Sequence, residues 1–263
     1  MADGSLTFII PVRDPQGVAN WKEVRHLISA TLASLAQVSG DTRILVVASK
    51  GTELPKLPSI AQLIEVDIPY RPLPPTEGPQ RHDAVRADKG LRVLAALTAV
   101  RPQGHVMVVD YDDYVSRRLG DLVASNPEAT GWLVEKGLMY DGGPVVYTLP
   151  RGFHRTCGTS IIVRADLLPI GEQPSDVHME TVKRTLGSHR FLPADLEQKG
   201  TPLTPVPFIG AVYRVGNRDS TSPSATIPEK VLPRNAIRRP HHLVRYLSRL
   251  RPTLFYRKEF LLP

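Results

Sequence analysis

The sequence has few of the features that mark disulfide-stabilised, membrane-spanning or base-stacking proteins. Cys157 is the only cysteine in 263 residues, which excludes an intrachain disulfide and a thiolate metal cluster. Aromatic residues make up only 6% of the chain, so a base-stacking surface is not indicated. No run approaches the roughly 18 apolar residues of a membrane span, and Met1–Gly4 lacks the basic region of a secretion signal. We therefore expect a cytoplasmic protein without a nucleic-acid partner.

The formal net charge of +7 indicates an anionic partner, and the basic excess lies in the last residues. From residue 229 to 263, nine lysines and arginines face only Glu229 and Glu259. Apolar residues recur at helical spacing within His241–Leu250, and a basic amphipathic helix is typical of proteins that lie on anionic membranes. The alternative is a helix that packs back on the rest of the protein with its arginines solvated.

The first half of the chain alternates short β-branched runs with segments of helical apolar spacing, which predicts a mostly parallel sheet flanked by helices. The predicted strands are Leu6–Val12, Arg43–Ala48, Leu63–Ile68 and His105–Val109, with helices over Trp21–Val38, capped by Asn20, and from Asp88 onward.

The second half predicts a smaller mixed sheet. Strands are indicated over Gly131–Tyr140, Pro144–Leu149 and Thr159–Arg164, with a helix beginning in Ala165–Leu168 and an edge strand over Val206–Val215. We expect a catalytic domain over residues 1–225, divided into a nucleotide-binding half (1–126) and an acceptor half (127–225). A basic amphipathic extension, residues 226–263, follows.

Three carboxylates, Asp110, Asp112 and Asp113, follow directly on the predicted strand that begins at His105. Ligands of open α/β sheets bind at the carboxyl ends of strands, and crowded carboxylates are typical ligands of Mg²⁺ or Mn²⁺. The motif therefore predicts a metal-diphosphate site. The alternative is the N-terminus of a following helix, where aspartates cap exposed amides.

Four motifs in this order resemble the GT-A fold glycosyltransferases, particularly those of family 2. They are Phe8–Asp14, Asp88-Lys89-Gly90 at the start of a helix, Asp110-Tyr111-Asp112-Asp113 (the Asp-x-Asp motif) and Cys157-Gly158-Thr159-Ser160. The resemblance spans roughly residues 5–220. It implies a GT-A fold and transfer of a sugar from a nucleotide-sugar donor, with a UDP-sugar favoured, to a saccharide or lipid-linked saccharide acceptor during polysaccharide or glycolipid synthesis.

The resemblance also implies positions for the nucleotide and for a Mn²⁺ or Mg²⁺ ion. The nucleotide would contact Pro11, Val12, Arg13, Asp14, Ala48, Ser49, Asp88, Lys89, Asp110, Tyr111 and Asp112. Asp110 and Asp112 would bind the metal. Asp113 would either support that site or cap a helix.

An inverting transfer needs a general base, and the family's Glu-Asp pair is missing from the expected region. His189 lies at about the expected separation from Gly158, and it is a candidate for the base or for a metal ligand. Asp195 and Glu180 are the other candidates for the base. The substrate wall would be formed by Phe153, His154, Arg155, Cys157, Gly158 and Thr159, although Phe153 is also a candidate core residue and Cys157 a structural thiol.

Two other functions are compatible with parts of this pattern. A nucleotidyltransferase acting on sugar phosphates shares the sheet and a carboxylate-bound metal, but residues 11–17 lack its Gly-rich basic loop. A noncatalytic nucleic-acid-binding protein would use the basic tail, which contains no recognition motif.

Overall fold

The computed structural model describes residues 4–216, 226–232 and 240–263. Its centre is a seven-stranded sheet in the order β10-β6-β9-β4-β1-β2-β3. The strands are β1 (Leu6–Pro11), β2 (Thr42–Ser49), β3 (Ala61–Val66), β4 (His105–Val108), β6 (Gly131–Leu133), β9 (Ile161–Arg164) and β10 (Thr204–Pro205). Strands β1 to β4 are parallel, and β9 runs antiparallel between β4 and β6.

A smaller mixed sheet has the order β12-β8-β7-β11-β5. Its strands are β5 (Tyr114–Val115), β7 (Lys136–Tyr140), β8 (Val145–Leu149), β11 (Ile209–Arg214) and β12 (Leu250–Pro252). The predicted α/β architecture, with a mostly parallel sheet and a smaller mixed sheet, is confirmed.

Two long helices cover opposite faces of the large sheet. They are α1 (Trp21–Ala36) and α2 (Pro79–Val100), and the shorter helices are α3 (Leu119–Ala124), α4 (Met179–Thr181), α5 (Leu192–Gln198), α6 (Ile227–Val231), α7 (Pro240–Leu247) and α8 (Arg257–Phe260). Alternate residues of β1 contribute to different cores, because Phe8 packs in the cluster with α1 while Ile9 packs in the cluster with α2. The Asn20 side chain accepts a hydrogen bond from Glu23 N, so the predicted cap of α1 is confirmed.

Several predicted elements have different boundaries in the structure. Helix α2 begins at Pro79 rather than Asp88, because the proline takes the first helical position, where its missing N–H costs nothing. The predicted strand Gly131–Tyr140 is two strands in different sheets, and Val206–Val215 yields β11, which lies inside the smaller sheet rather than at its edge. Residues Ala165–Leu167 form only a single short helical turn.

The last residues of the tail belong to the folded body. Strand β12 pairs antiparallel with β8, and the side chains of Phe260 and Leu262 are buried in a core cluster with Tyr114 and Leu138. Among the described residues, no helix has the length and apolarity needed to cross a bilayer.

Candidate functional site

The carboxyl ends of the parallel strands form one edge of the large sheet. Strands β2 and β3 lie on one side of β1, while β4 lies on its other side, so the chain order switches direction between β1 and β4. Open α/β sheets bind ligands at such a switch point. The residues that follow β1 and β4, beginning with Val12 and Val109, therefore occupy the favoured position for a ligand.

Asp110 and Lys89 form an ion pair at this switch point. The Lys89 Nζ donates to Asp110 Oδ1 at 2.5 Å. Burial lowers the pKa of Lys89, but the charge and hydrogen bond of Asp110 outweigh it, so the net shift of that pKa is upward. A methyl group on Gly158 would come within 2.5 Å of Asp110 Oδ2, so this glycine keeps space beside the carboxylate.

Asp113 has a structural position. Its Oδ2 accepts hydrogen bonds from Thr159 Oγ1 at 2.6 Å and Cys157 Sγ at 3.1 Å, and its Oδ1 accepts from Arg214 N at 2.9 Å. Burial, followed by the charges of Asp112 and Asp110, raises the pKa of Asp113 well above its ordinary value. The strand β5, not a helix, follows these aspartates, so the alternative of a helix cap is wrong.

A hydrogen-bonded network that the sequence did not indicate joins the ends of β1 and β2 to α2. Arg92 is only 1% exposed, and its guanidinium donates to both carboxylate oxygens of Asp88, at 3.0 and 3.1 Å, and to Ser49 Oγ at 3.3 Å. Ser49 Oγ in turn donates to Asp14 Oδ2 at 2.7 Å. The network holds together Asp14, Ser49 and Asp88, which are three of the residues predicted to contact the nucleotide. In the sequence, the network is indicated only by the position of Arg92 four residues after Asp88, which is the spacing of an ion pair on one face of a helix.

The other residues assigned to the nucleotide differ in exposure. Pro11, Val12 and Ala48 are buried, so only their backbone can face a ligand. Arg13 lies beside Gly17 and is partly exposed. Tyr111 is buried in the α1 core, and its carbonyl accepts a hydrogen bond from Thr31.

The segment that carries His189 packs closely on α2. A methyl group on Gly90 would lie 2.7 Å from the Val182 carbonyl oxygen, and one on Gly187 would overlap the Arg86 carbonyl. The two glycines allow a contact that brings His189 next to Lys89, and both residues line a cavity of about 40 Å³.

The His189 Nε2 atom is buried and has no hydrogen-bond partner among the described residues. Burial, followed by the charge of Lys89, lowers the pKa of His189 to about 4, so its imidazole is neutral at pH 7. A neutral imidazole with an unpartnered Nε2 can accept a hydrogen bond or a proton, or bind a metal ion, so His189 stays a candidate for the roles predicted for it.

The structure does not join Glu180 or Asp195 to this group. Glu180 is exposed and pairs with Lys183 at 2.9 Å. Both oxygens of Asp195 accept hydrogen bonds from Arg184, and this partner holds the pKa of Asp195 below its ordinary value. Each carboxylate already has a cation of its own.

The loop assigned to the substrate wall is partly core. Phe153 is fully buried against Gly137, and Cys157 and Thr159 are buried around Asp113, so these three side chains support the loop and do not face a ligand. Burial, followed by the charge of Asp113, raises the pKa of the Cys157 thiol well above its ordinary value. Arg155 is exposed, and His154 and Gly158 are partly exposed.

Glu135 is a carboxylate near this group that the sequence did not single out. It directly follows Val134, whose N–H donates to the Ser160 carbonyl, while Asp110 N donates to Thr159 Oγ1. Glu135 and Asp110 therefore follow β6 and β4 at the same end of the sheet, on either side of the segment that precedes β9. The Glu135 Oε1 atom lies 2.9 Å from His154 Nδ1, although the angle is not that of a hydrogen bond.

Helix α6 brings a cation to the region around Tyr213 and Asp113. Lys230 Nζ donates to Tyr213 OH at 2.8 Å, and burial lowers the pKa of Lys230. Arg214 stacks on Tyr140 with its guanidinium carbon 5.0 Å from the ring centre.

The donor set suits a divalent ion that shares its coordination with a ligand. In the described part of the chain, no group of three or more His, Cys, Asp and Glu side chains is arranged to hold a metal. Mg²⁺ usually takes one or two protein carboxylates and completes its shell with phosphate oxygens and water. Asp110, with the space that Gly158 leaves beside it, is one such carboxylate, whereas Asp112 is buried at 8% exposure.

Comparisons with known proteins give only weak likenesses. No protein-family model matches the chain, and no curated protein sequence matches it. Two structures of S. aureus TarS are similar at 13% identity with a TM-score of 0.45. The structure of TarS residues 1–349 matches 80% of this chain, and this chain spans 60% of it. The longer TarS structure matches 82% of this chain, and this chain spans 37% of it.

A structure of 4-diphosphocytidyl-2C-methyl-D-erythritol synthase is similar at 12% identity with a TM-score of 0.32, over 93% of this chain and 99% of that one. These likenesses are too weak to indicate an activity, and the function is therefore inferred from the residues of the site.

Proposed function

We propose that the chain is a metal-dependent glycosyltransferase that moves a sugar from a nucleotide-sugar donor, with a UDP-sugar favoured, to a hydroxyl of a polysaccharide or glycolipid acceptor. The observation that carries the proposal is the Lys89–Asp110 pair at the switch point, with Glu135 after β6, two strands away at the same end of the sheet. A cation and a carboxylate beside a leaving diphosphate, and a second carboxylate on the far side of the sugar, are what this reaction requires.

On the donor side, the chain offers groups for both parts of the nucleotide. The partly exposed carboxylate of Asp88, in the middle of α2, and the hydroxyl of Ser49, at the end of β2, are both held by Arg92, and base and ribose would sit beside them. The ammonium group of Lys89 would neutralise phosphate oxygens as negative charge builds on them.

Asp110 and Asp112 would hold the Mn²⁺ or Mg²⁺ ion. When bound, a divalent ion supplies Lewis-acid stabilisation of the departing diphosphate. The chain's own contribution is to fix the Asp110 carboxylate between Lys89 and Gly158.

On the acceptor side, Glu135 is placed to accept the proton of the attacking hydroxyl. Its Oε2 accepts a hydrogen bond from Gly152 N at 3.3 Å, and its Oε1 contacts His154. Burial lowers the pKa of His154 despite the charge of Glu135, so the imidazole is neutral at pH 7. Glu135 follows β6 and Asp110 follows β4, with β9 between these strands, so a sugar bound across this end of the sheet would lie between acceptor and diphosphate.

A thermal-shift screen of UDP-, GDP- and CMP-sugars, each with and without Mn²⁺, tests the donor site. A ligand at about 100 times its dissociation constant stabilises the folded protein by roughly 2.7 kcal/mol. For a chain of this size that corresponds to about 5–10 °C in Tm. We expect a UDP-sugar with Mn²⁺ to give this shift and Asp112→Asn to abolish it.

A second variant probes the space beside Asp110. Gly158→Ala places a methyl group within 2.5 Å of Asp110 Oδ2 and 3.0 Å of Lys89 Nζ, and it should abolish the Mn²⁺-dependent shift. The matched control for Asp112→Asn is Asp41→Asn, because Asp41 is exposed and precedes β2 at the opposite edge of the sheet. A shift that persists in Asp112→Asn, or a response only to free nucleoside triphosphates, would contradict the proposal.

Glu135→Gln separates the acceptor role from donor binding. The variant should keep the UDP-sugar shift and lose sugar transfer to any acceptor by about 100-fold or more, as expected for a general base. Unchanged transfer in Glu135→Gln would exclude it from the reaction.

A further inference from the structure

The most exposed apolar side chains of the described residues are concentrated near the C-terminus. Eight large hydrophobic side chains are exposed, and four of them are between 36% and 47% exposed. The other four are Val244 at 66%, Leu247 at 62%, Leu254 at 70% and Phe255 at 72%. Isolated exposed apolar residues are ordinary, but four within twelve positions mark an interaction surface.

The surrounding segment is held in place on the folded body. In α7 the Tyr246 ring stacks on Tyr147 with 5.6 Å between ring centres, which turns Val244 and Leu247 toward solvent. Strand β12 then pairs with β8, and the buried Phe260 anchors the chain beyond Phe255. These four side chains are therefore presented from an ordered scaffold.

Basic residues accompany these apolar side chains. Residues 240–263 contain five lysines and arginines and a single acid, Glu259. Glu259 is already engaged, because it pairs with Arg118 at 2.8 Å and accepts a hydrogen bond from Ser116. In the part of the chain that the structure describes, none of the five cations forms a salt bridge.

We propose that this region, termed the tail surface, docks the protein on an anionic lipid bilayer. The tail surface consists of the exposed side chains of Val244, Leu247, Leu254 and Phe255 with those of Arg245, Arg251, Arg257 and Lys258. The apolar side chains enter the boundary between headgroups and acyl chains, and the cations contact lipid phosphates. The proposal does not depend on the transfer reaction.

The dimensions agree with an interfacial contact. Leu254 is seven positions after Leu247, so the two cannot lie more than about 25 Å apart. Each basic residue near an anionic surface strengthens binding about fivefold, so four such residues together suffice for reversible docking when apolar side chains also insert. A nucleic acid would satisfy the cations but would leave the aliphatic side chains in water.

Cosedimentation of the full chain with vesicles tests the proposal. We expect binding to vesicles of phosphatidylcholine mixed with phosphatidylglycerol, weak binding to phosphatidylcholine alone, and a decline of binding with added salt. The double variant Leu254→Ser, Phe255→Ser should bind at least about tenfold more weakly, because each side chain loses its apolar burial. The double variant Arg257→Gln, Lys258→Gln should lose binding by about 25-fold.

Matched controls alter the same chemistry elsewhere. Leu63→Ser with Met179→Ser removes two exposed apolar side chains, and Lys22→Gln with Lys56→Gln removes two exposed cations. Both controls should bind vesicles like the wild type, and far-UV circular dichroism should show all variants folded. Equal binding to neutral vesicles, equal loss in the controls, binding to duplex DNA but not to vesicles, or self-association abolished by Leu254→Ser, Phe255→Ser without lipid binding would each overturn the proposal.

Discussion

The Asp88–Arg92 pair should respond asymmetrically to the loss of its two members. The Arg92 side chain is 1% exposed, whereas that of Asp88 is 41% exposed. Asp88→Asn leaves a guanidinium that stays charged in proteins and cannot reach water. Arg92→Met leaves a carboxylate that water can hydrate, and the new side chain fills most of the vacated volume. We therefore expect Asp88→Asn to be the more damaging substitution.

The magnitudes follow from burial and the remaining partners. Removing one member of a buried ion pair costs about 3–5 kcal/mol of unfolding free energy. Ser49 Oγ stays within 3.3 Å of Arg92, which places Asp88→Asn near the lower limit, about 3 kcal/mol. Arg92→Met should cost about 1 kcal/mol, because hydration compensates Asp88 and the volume is nearly conserved.

Urea unfolding followed by tryptophan fluorescence measures both costs. The double variant should cost about 1–2 kcal/mol, less than the sum of the single changes, because Arg92→Met removes the positive charge that Asp88→Asn alone leaves unpaired. In thermal melts, Asp88→Asn should lower Tm by about 6–12 °C and Arg92→Met by about 2–4 °C. If Arg92→Met is as destabilising as Asp88→Asn, or if the two costs add, the asymmetry in burial does not control the stability of the pair.

Two further predictions concern the packing and protonation of the His189 segment. Gly90→Ala should lower the free energy of unfolding by about 1–3 kcal/mol, measured in urea, because the contact with Val182 at 2.7 Å outweighs a helix-propensity gain of about 1 kcal/mol. For His189, the folded-state pKa of about 4 lies below the ordinary 6.5, so the unfolded chain binds more protons between these values. The free energy of unfolding should therefore fall by roughly 3 kcal/mol as the pH drops from 6.5 to 4. His189→Gln should lack this contribution to the pH dependence of stability.

Each of these has a clear opposing outcome. A more stable Gly90→Ala variant would mean that α2 and the residues after Val182 do not pack as closely as described. An acid slope that is the same in wild type and His189→Gln would assign the proton uptake to other groups, such as His105 and His154, whose pKa values burial also lowers.

Much of the candidate donor site could be predicted because its residues directly follow recognisable strands. Asp14, Ser49 and Asp110 each follow a buried β-branched run, and parallel strands bring their carboxyl ends to one edge. Asp113 could not be assigned in this way, because its burial depends on donors from Cys157, Thr159 and Arg214, which are distant in the sequence.

Glu135 was missed because the chain changes sheets at that point. Gly131–Tyr140 has the composition of a single strand, and nothing local separates β6 from β7. Only the pairing of β6 with β9 places Glu135 at the same end of the sheet as Asp110. Conversely, Glu180 and Asp195 were reasonable candidates along the sequence, but their neighbours Lys183 and Arg184 hold them in separate ion pairs.

The sequence by itself determined the alternating strands and helices of the first half, the cap of α1 and the carboxylates at the end of β4. Those features depend on hydrophobic period and local hydrogen bonding, which act over a few residues. Only the tertiary structure decided that Arg92 is buried, that His189 lies beside Lys89 and that β12 extends the smaller sheet. Each depends on the close approach of segments from about 40 to 100 residues apart, and that approach is set by packing of the whole chain.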